Sequence, residues 1–123
     1  MDSCKSINIA EKLKSFDDHW HPRIVAGLNG QHVKVAKLFG EFDWHTHDDE
    51  DELFLIVDGE LEMHLEDQPT VTLRSGEMLV VPRGVKHKPV ARVETHVLLF
   101  EPASTVNTGD SPSDRTRGDL DWI

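Results

Sequence analysis

Turn signals break the sequence every eight to twelve residues between Arg23 and Phe100, and short runs of β-forming residues fill the intervals. Asn29-Gly30 separates Arg23–Leu28 from Gln31–Phe39, and Gly40 opens a turn before Phe42–His47. Glu52–Val57 is rich in β-formers, Asp58-Gly59 reads as a type I′ hairpin turn, and Leu61, Met63 and Leu65 alternate beyond it. A turn over 67–69 returns the chain through Val71–Leu73, and Ser75-Gly76 turns it into Met78–Val81; Val90–Val93 and His96–Phe100 complete the series. Many short strands with regular turns predict an all-β sandwich or barrel and argue against alternating strands and helices.

One helix is expected before the strands. Asn8 and Glu11 have capping-box spacing, and Ile9, Leu13 and Phe16 fall on one helical face. From Pro102 onward the chain is polar and turn-rich until Leu120, Trp122 and Ile123, so residues 102–123 read as a tail whose end either docks or frays. A length of 123 residues suits one domain over 1–123, with the barrel core at about 22–101.

Charge and cysteine use narrow the function classes. The formal net charge of −10 disfavours a nucleic-acid partner, whose phosphates would be repelled. No apolar run approaches the roughly 18 residues that span a bilayer, and the first residues lack the apolar core of a secretory signal. Cys4 is the single cysteine, which excludes an internal disulfide and fits a cytoplasmic protein. Between Glu41 and Asp67 there are twelve acids and no Lys or Arg, whereas Arg74, Arg83, Lys86, Lys88 and Arg92 face only Glu77 and Glu94. Either the two segments pair across neighbouring strands, or an acidic mouth lies beside a basic strand able to hold an anion.

Of the eight histidines, His19, His21, His32, His64 and His96 read as surface or hydrogen-bonded residues. His45 and His47 differ, because residues i and i+2 of a strand project from the same face. Glu52 opens the next strand, and His87 follows the turn over 82–84. Three imidazoles and one carboxylate converging from separate strands suit a borderline divalent metal, although an HxH pair also fits an exposed polar strand face.

The spacing adds a resemblance. Gly40-x4-His45-x-His47-x4-Glu52-x6-Gly59, followed by Gly76-x5-Pro82-x-Gly84-x2-His87, resembles the two motifs of the cupin superfamily over roughly residues 31 to 101. The first motif usually has five residues between its glycine and first histidine. The second usually ends in asparagine, and the residue four beyond His87 here is Ala91. Neither departure touches a ligand position. The resemblance implies a double-stranded β-helix, or jelly roll, with His45, His47, Glu52 and His87 as metal ligands inside the barrel. It implies a divalent transition metal: iron, manganese, nickel, zinc or copper. Asp48, Asp49, Glu50 and Asp51 then form a solvated rim, with Glu50 the one rival ligand by parity. More narrowly, the chain looks like small single-domain cupins related to mannose-6-phosphate isomerases.

The resulting expectation is a metal-dependent enzyme, oxygenase or isomerase-like, acting on a small polar molecule. The alternative is a non-catalytic small-molecule-binding protein whose metal is structural or holds the ligand. Phe54, Ile56, Met63 and Phe100 read as inward positions, either plain core or pocket wall, and parity leaves Arg23, Lys34 and Lys37 unplaced. No phosphate loop, GxSxG elbow or CxxC pair is present. The run Leu53–Val57 leaves no polar face on its strand, which points to a covering segment or a homodimer.

Overall fold

The computed structural model describes residues 4–123. Helix α1 (Ile9–Lys14) is followed by strands β1 (Arg23–Leu28), β2 (Gln31–Glu41), β3 (Glu52–Asp58), β4 (Glu60–Leu65), β5 (Val71–Arg74), β6 (Met78–Val81) and β7 (His87–Pro102). Every pairing between these strands is antiparallel, and the connectivity is that of an all-β jelly roll. Along one side the order is β1-β2-β7-β3-β6, while β4 and β5 join through β7.

β7 makes this closure possible. Its first residues pair with β4 and the end of β2, and its last residues pair with β3 and the rest of β2. Between them Arg92, Val93 and Glu94 are exposed, and the register against β2 shifts between Leu38 and Gly40. A bulge of this kind bends a strand and increases its twist, which lets one strand serve both walls. The two segments expected at Val90–Val93 and His96–Phe100 are therefore one strand.

Two turns also differ from expectation. Asn29-Gly30 is a true hairpin, with φ of 51° and 76° and Leu28 opposite Gln31. Asp58-Gly59 is not, because β3 pairs with β6 and β7 whereas β4 pairs with β5 and β7. The chain passes there from one wall to the other. Gly59 is still required: its φ is 108°, and a Cβ would lie 2.6 Å from the Thr95 hydroxyl.

The strand alternation separates two apolar layers. Inside the barrel, Ala36, Leu38, Phe54, Ile56, Leu61, Met63, Leu73, Val81, Ala91, Val97 and Leu99 form the main core. Leu99 points inward in place of the expected Phe100, which lies half-buried on the opposite face. On the outer face of β1 and β2, Leu13 and Phe16 cover Val25 and Val35. The Asn8 side chain caps α1 by accepting the Glu11 N–H at 3.0 Å. Lys37 lies under this cover and donates to the Phe16 carbonyl, while Arg23 pairs with Asp18 over the Phe16 ring. Neither reaches the interior. Lys34 does.

The C-terminal segment docks on the body. Ile24 donates to the Asp121 carbonyl at 2.8 Å and Ile123 donates to the Ile24 carbonyl at 3.0 Å, adding a short parallel bridge beside β1.

Candidate metal centre

His45, His47, Glu52 and His87 come together inside the barrel. Each offers one donor atom, and the four atoms lie within 4.8 Å of one another. All four residues are buried, and His87 is fully so. Backbone pairing sets part of this geometry: His45 and His87 exchange N–H···O=C bonds of 3.0 and 2.9 Å, which holds their rings 4.3 Å apart. The Gly84 N–H donates to the His47 carbonyl at 2.9 Å and ties the second motif to the first. Glu52 enters from β3, opposite Val81 of β6.

The segment carrying His45 and His47 is not the strand that the sequence predicts. β2 ends at Glu41, and His45 meets the barrel through its bridge to His87 alone. Side chains take the backbone partners that a strand would use. The His45 Nδ1–H donates to the Asp43 carbonyl at 2.8 Å, and the Thr46 N–H donates to Asp110 at 2.8 Å.

The donor set fits a divalent metal on two grounds. First, Nδ1 of His45 and of His87 each donate to a backbone carbonyl at 2.8 Å, leaving Nε2 with its lone pair free. Second, His47 Nε2, His87 Nε2 and Glu52 Oε1 are buried without a hydrogen-bond partner. Orphaned polar atoms are costly, about 1–3 kcal/mol each. Three of them meeting at one point make sense as ligand atoms.

Electrostatics divide the four residues. Burial, reinforced by His87, pushes His45 down to about 4. Burial also pulls on His47, but the Glu52 carboxylate, with Glu50 and Asp110 beyond it, outweighs that pull and raises it. Burial disfavours the Glu52 charge, yet contact with Glu101, His47 and His87 holds its carboxyl well below the usual range. Glu101 goes the other way: burial and the neighbouring Glu52 charge push it well above that range, against the pull of Lys34.

Glu101 and Lys34 were not singled out as a pair by the motifs. Both are buried at the inner wall, where the Lys34 ammonium donates to the Glu101 carboxyl at 2.8 Å. Glu101 was legible as an inward position, since it shares the parity of Val97 and Leu99 on β7. A narrow cavity of about 40 Å3 joins this pair to the donor cluster, walled by Trp20, Leu38, Phe42, Phe54 and Leu99, with Asn107 and Leu120 contributed by the C-terminal segment. Trp20 stacks on Phe42 at 4.8 Å, and its indole N–H donates to the Phe39 carbonyl. Nothing in the sequence marked Trp20 or Asn107, and Leu120 was marked only as part of a tail end that docks or frays, because loop and tail docking alone bring them here.

The acidic residues 48–51 form the expected rim. Asp48, Asp49 and Glu50 line a second opening with His47 and Asp110, and Glu50 accepts a hydrogen bond from Ser104 instead of joining the donors. The basic strand is neutralised by acids: Arg92 pairs with Glu62, Lys88 with Glu41, Arg83 with Asp51 and Arg74 with Glu60. Cross-strand pairing thus explains the uneven charge.

The fold and the site together define a small jelly-roll protein with an interior cluster suited to a divalent metal. The chain belongs to the Cupin_2 family, whose cupin domain matches residues 31–101. It is 36% identical over 90 residues to YdbB of Bacillus subtilis (strain 168), an uncharacterised protein, covering 72% of this chain and 80% of that one. A cupin-2 domain containing protein from Shewanella frigidimarina NCIMB 400 superimposes with a TM-score of 0.76 at 44% identity, over 78% of this chain and 93% of that one. The hydroquinone 1,2-dioxygenase of Sphingomonas sp. TTNP3, solved with 4-hydroxybenzoate bound, shares the fold: its TM-score is 0.73 at 20% identity, over 81% of this chain and 32% of that one.

Proposed function

We propose that His45, His47, Glu52 and His87 bind one divalent transition metal and that the protein is a metal-dependent enzyme acting on a small molecule, with oxygenase chemistry as the first reading. The observation that carries it is the convergence of four buried donors, three of them partnerless at their ligand atoms, at the end of a largely apolar cavity. Four protein ligands leave about two positions open on an octahedral ion. Such an ion supplies Lewis acidity and, where redox-active, electrons for dioxygen chemistry.

The chain's own residues supply the rest. Carbonyl bonds to Nδ1 of His45 and His87 fix ring orientation and tautomer. Trp20, Phe42, Phe54 and Leu99 make the wall beside the donors apolar and keep bulk water from them. Lys34 and Asn107 offer donors to a polar substituent, and Glu101 stands beside Glu52 as an acid able to hold a proton. The hydroquinone dioxygenase with its bound 4-hydroxybenzoate supports this reading by likeness of fold. An isomerase-like role, with the kinship to mannose-6-phosphate isomerases, fits less well because a sugar needs a more polar wall. Lys34 and Glu101 beside the donors also favour an enzyme over a non-catalytic binding module.

Elemental analysis of the purified protein beside a His45→Ala/His87→Ala control tests the assignment. A stoichiometric redox metal in the native protein alone, followed by substrate-dependent oxygen uptake, is the expected result. Equal metal in both proteins would remove the ligand assignment; stoichiometric zinc without oxygen uptake would remove the oxygenase reading.

We also propose a homodimer through the outer face of β3, β6 and β7. Leu53, Leu55, Val57, Met78, Val80, Leu98 and Phe100 share that face, and α1 covers only its β1–β2 side. Met78 is 57% exposed. A second copy supplies the matching apolar surface. Light scattering is expected to give twice the 14.0 kDa chain mass, falling to one with Met78→Glu/Val80→Glu; a wild-type mass near one chain would overturn the dimer.

A further inference from the structure

We propose that a second cavity, between the β1–β2 hairpin and the C-terminal segment, is a binding site for a small oxyanion, a carboxylate or phosphate group, held by Lys34, Thr105 and Arg117 with His32 at its side. The cavity measures about 230 Å3 and is lined by Ile24, His32 and Lys34 from the hairpin and by Thr105, Arg117, Asp119 and their neighbours from the tail. Lys34 and Leu120 also line the metal-side cavity, so the new site lies across a shared wall from the donor cluster.

Three unpartnered polar atoms point to a ligand. His32 Nδ1, Thr105 Oγ1 and Arg117 Nε are buried, and none has a hydrogen-bond partner in the structure. Thr105 is only 7% exposed and Lys34 only 2%. Buried polar groups are nearly always satisfied, so a cluster of three orphans around one cavity is out of the ordinary. An oxyanion, with several lone pairs on two or three oxygens, satisfies such donors together, whereas an apolar occupant satisfies none.

Charge selects the same ligand. Arg117 has no carboxylate within ion-pair distance among the described residues, although the chain carries a net charge of −10. Its guanidinium offers a rigid fork of donors suited to carboxylate and phosphate oxygens. Lys34 donates to Glu101 at 2.8 Å and has two further N–H donors. Asp119 is the opposing charge on the wall, but it is exposed and so strongly screened.

The wall is also fixed in place. The Arg117 N–H donates to the Asn107 side chain at 2.8 Å, whose amide in turn donates to the Arg115 carbonyl at 2.8 Å. The Thr108 and Thr116 hydroxyls are bonded at 2.7 Å, and the Ala103 N–H donates to the Gly30 carbonyl at 3.0 Å. Trp122 packs edge-on against the His32 ring at 5.3 Å and sets its orientation. A preorganised cage of this kind loses little entropy on binding.

The test is calorimetric titration of the chelator-treated 123-residue chain with inorganic phosphate and, separately, with malonate, at constant ionic strength. Saturable binding of one anion per chain is expected, and the tighter probe tells whether the site prefers phosphate or carboxylate. Arg117→Gln is expected to raise Kd about tenfold and Thr105→Val about threefold, the loss of one charge-assisted and one neutral hydrogen bond. Arg117→Lys, which keeps the charge and loses the fork, should also raise Kd, and melting curves verify that each variant folds. His47→Ala should bind as the native protein does. The proposal is overturned if neither anion saturates through the millimolar range, or if both Arg117 variants bind normally. It is equally overturned if a folded His47→Ala loses binding, which would put the anion at the donor cluster.

Discussion

The donor cluster and the cavity behind Lys34 are both buried and polar, yet they are assembled in opposite ways. The cluster rests on register: His45 and His47 alternate on one short segment, His87 exchanges backbone hydrogen bonds with His45, and Glu52 stands on β3 next to β6. The cavity rests on docking, because most of its wall belongs to a tail that reaches the barrel through a few backbone bonds and side-chain ties. Register is specified by every strand pairing around it and is hard to lose locally. A docked tail can come away while the barrel stays folded.

Three substitutions probe that contrast. His47→Ala strikes the cluster directly and has the largest expected effect: metal content should fall from one per chain to near none. The affinity loss should exceed the roughly 10- to 100-fold typical of outer-shell partners, as read by competition with a chromophoric chelator. The rise in melting temperature on adding metal should vanish with it, since a ligand stabilises only the state it binds. Gly109→Ala strikes the tail. Gly109 has a φ of 55°, and an added Cβ would collide with the Thr46 backbone, so a cost on the order of 2 kcal/mol is expected. Limited proteolysis should cut the tail faster while metal stoichiometry stays at one. Loss of metal as well would show that the two regions behave as one unit, linked through the Thr46–Asp110 bond.

Glu94→Gln has the smallest effect and touches neither region. His96, and then His19, hold the Glu94 carboxyl down to about 2 in the folded chain. Its folded value is below the unfolded one, so the stabilisation is present above the unfolded value, near 4.5, and is lost as pH falls toward about 2. Glu94 and His19 are solvent-exposed and His96 is half-buried, so the gain is small. The variant should flatten acid unfolding in that window and leave metal and anion binding unchanged; a shift in either would tie this surface to the interior.

The same contrast explains what the residues disclosed. His45, His47, Glu52 and His87 could be read because strand parity and motif spacing are local properties of the chain. Phe54, Ile56 and Met63 were inward for the same reason, while Phe100 was assigned to the wrong face because its strand was read without β7's full length. Asp58-Gly59 carried the right demand for positive φ but the wrong partner, since turn chemistry does not say whether the next strand pairs back or crosses to another wall. Arg117, Thr105 and Trp20 gave no periodic signal. Their roles come from where a loop and a tail settle, which depends on the finished surface beneath them.

β7 carries one further consequence. His87 lies at its start and Glu101 near its end, and between them the strand is bonded to β2, β3 and β4. Neither wall can open without breaking bonds to this strand, so the barrel has no half that melts alone. Amide hydrogens of β7 should therefore exchange only through whole-molecule unfolding, as the slowest class in the protein. Those of residues 103–123 should form a faster class of their own. The time course of deuterium uptake would thus trace the boundary between what is woven into the barrel and what is laid upon it.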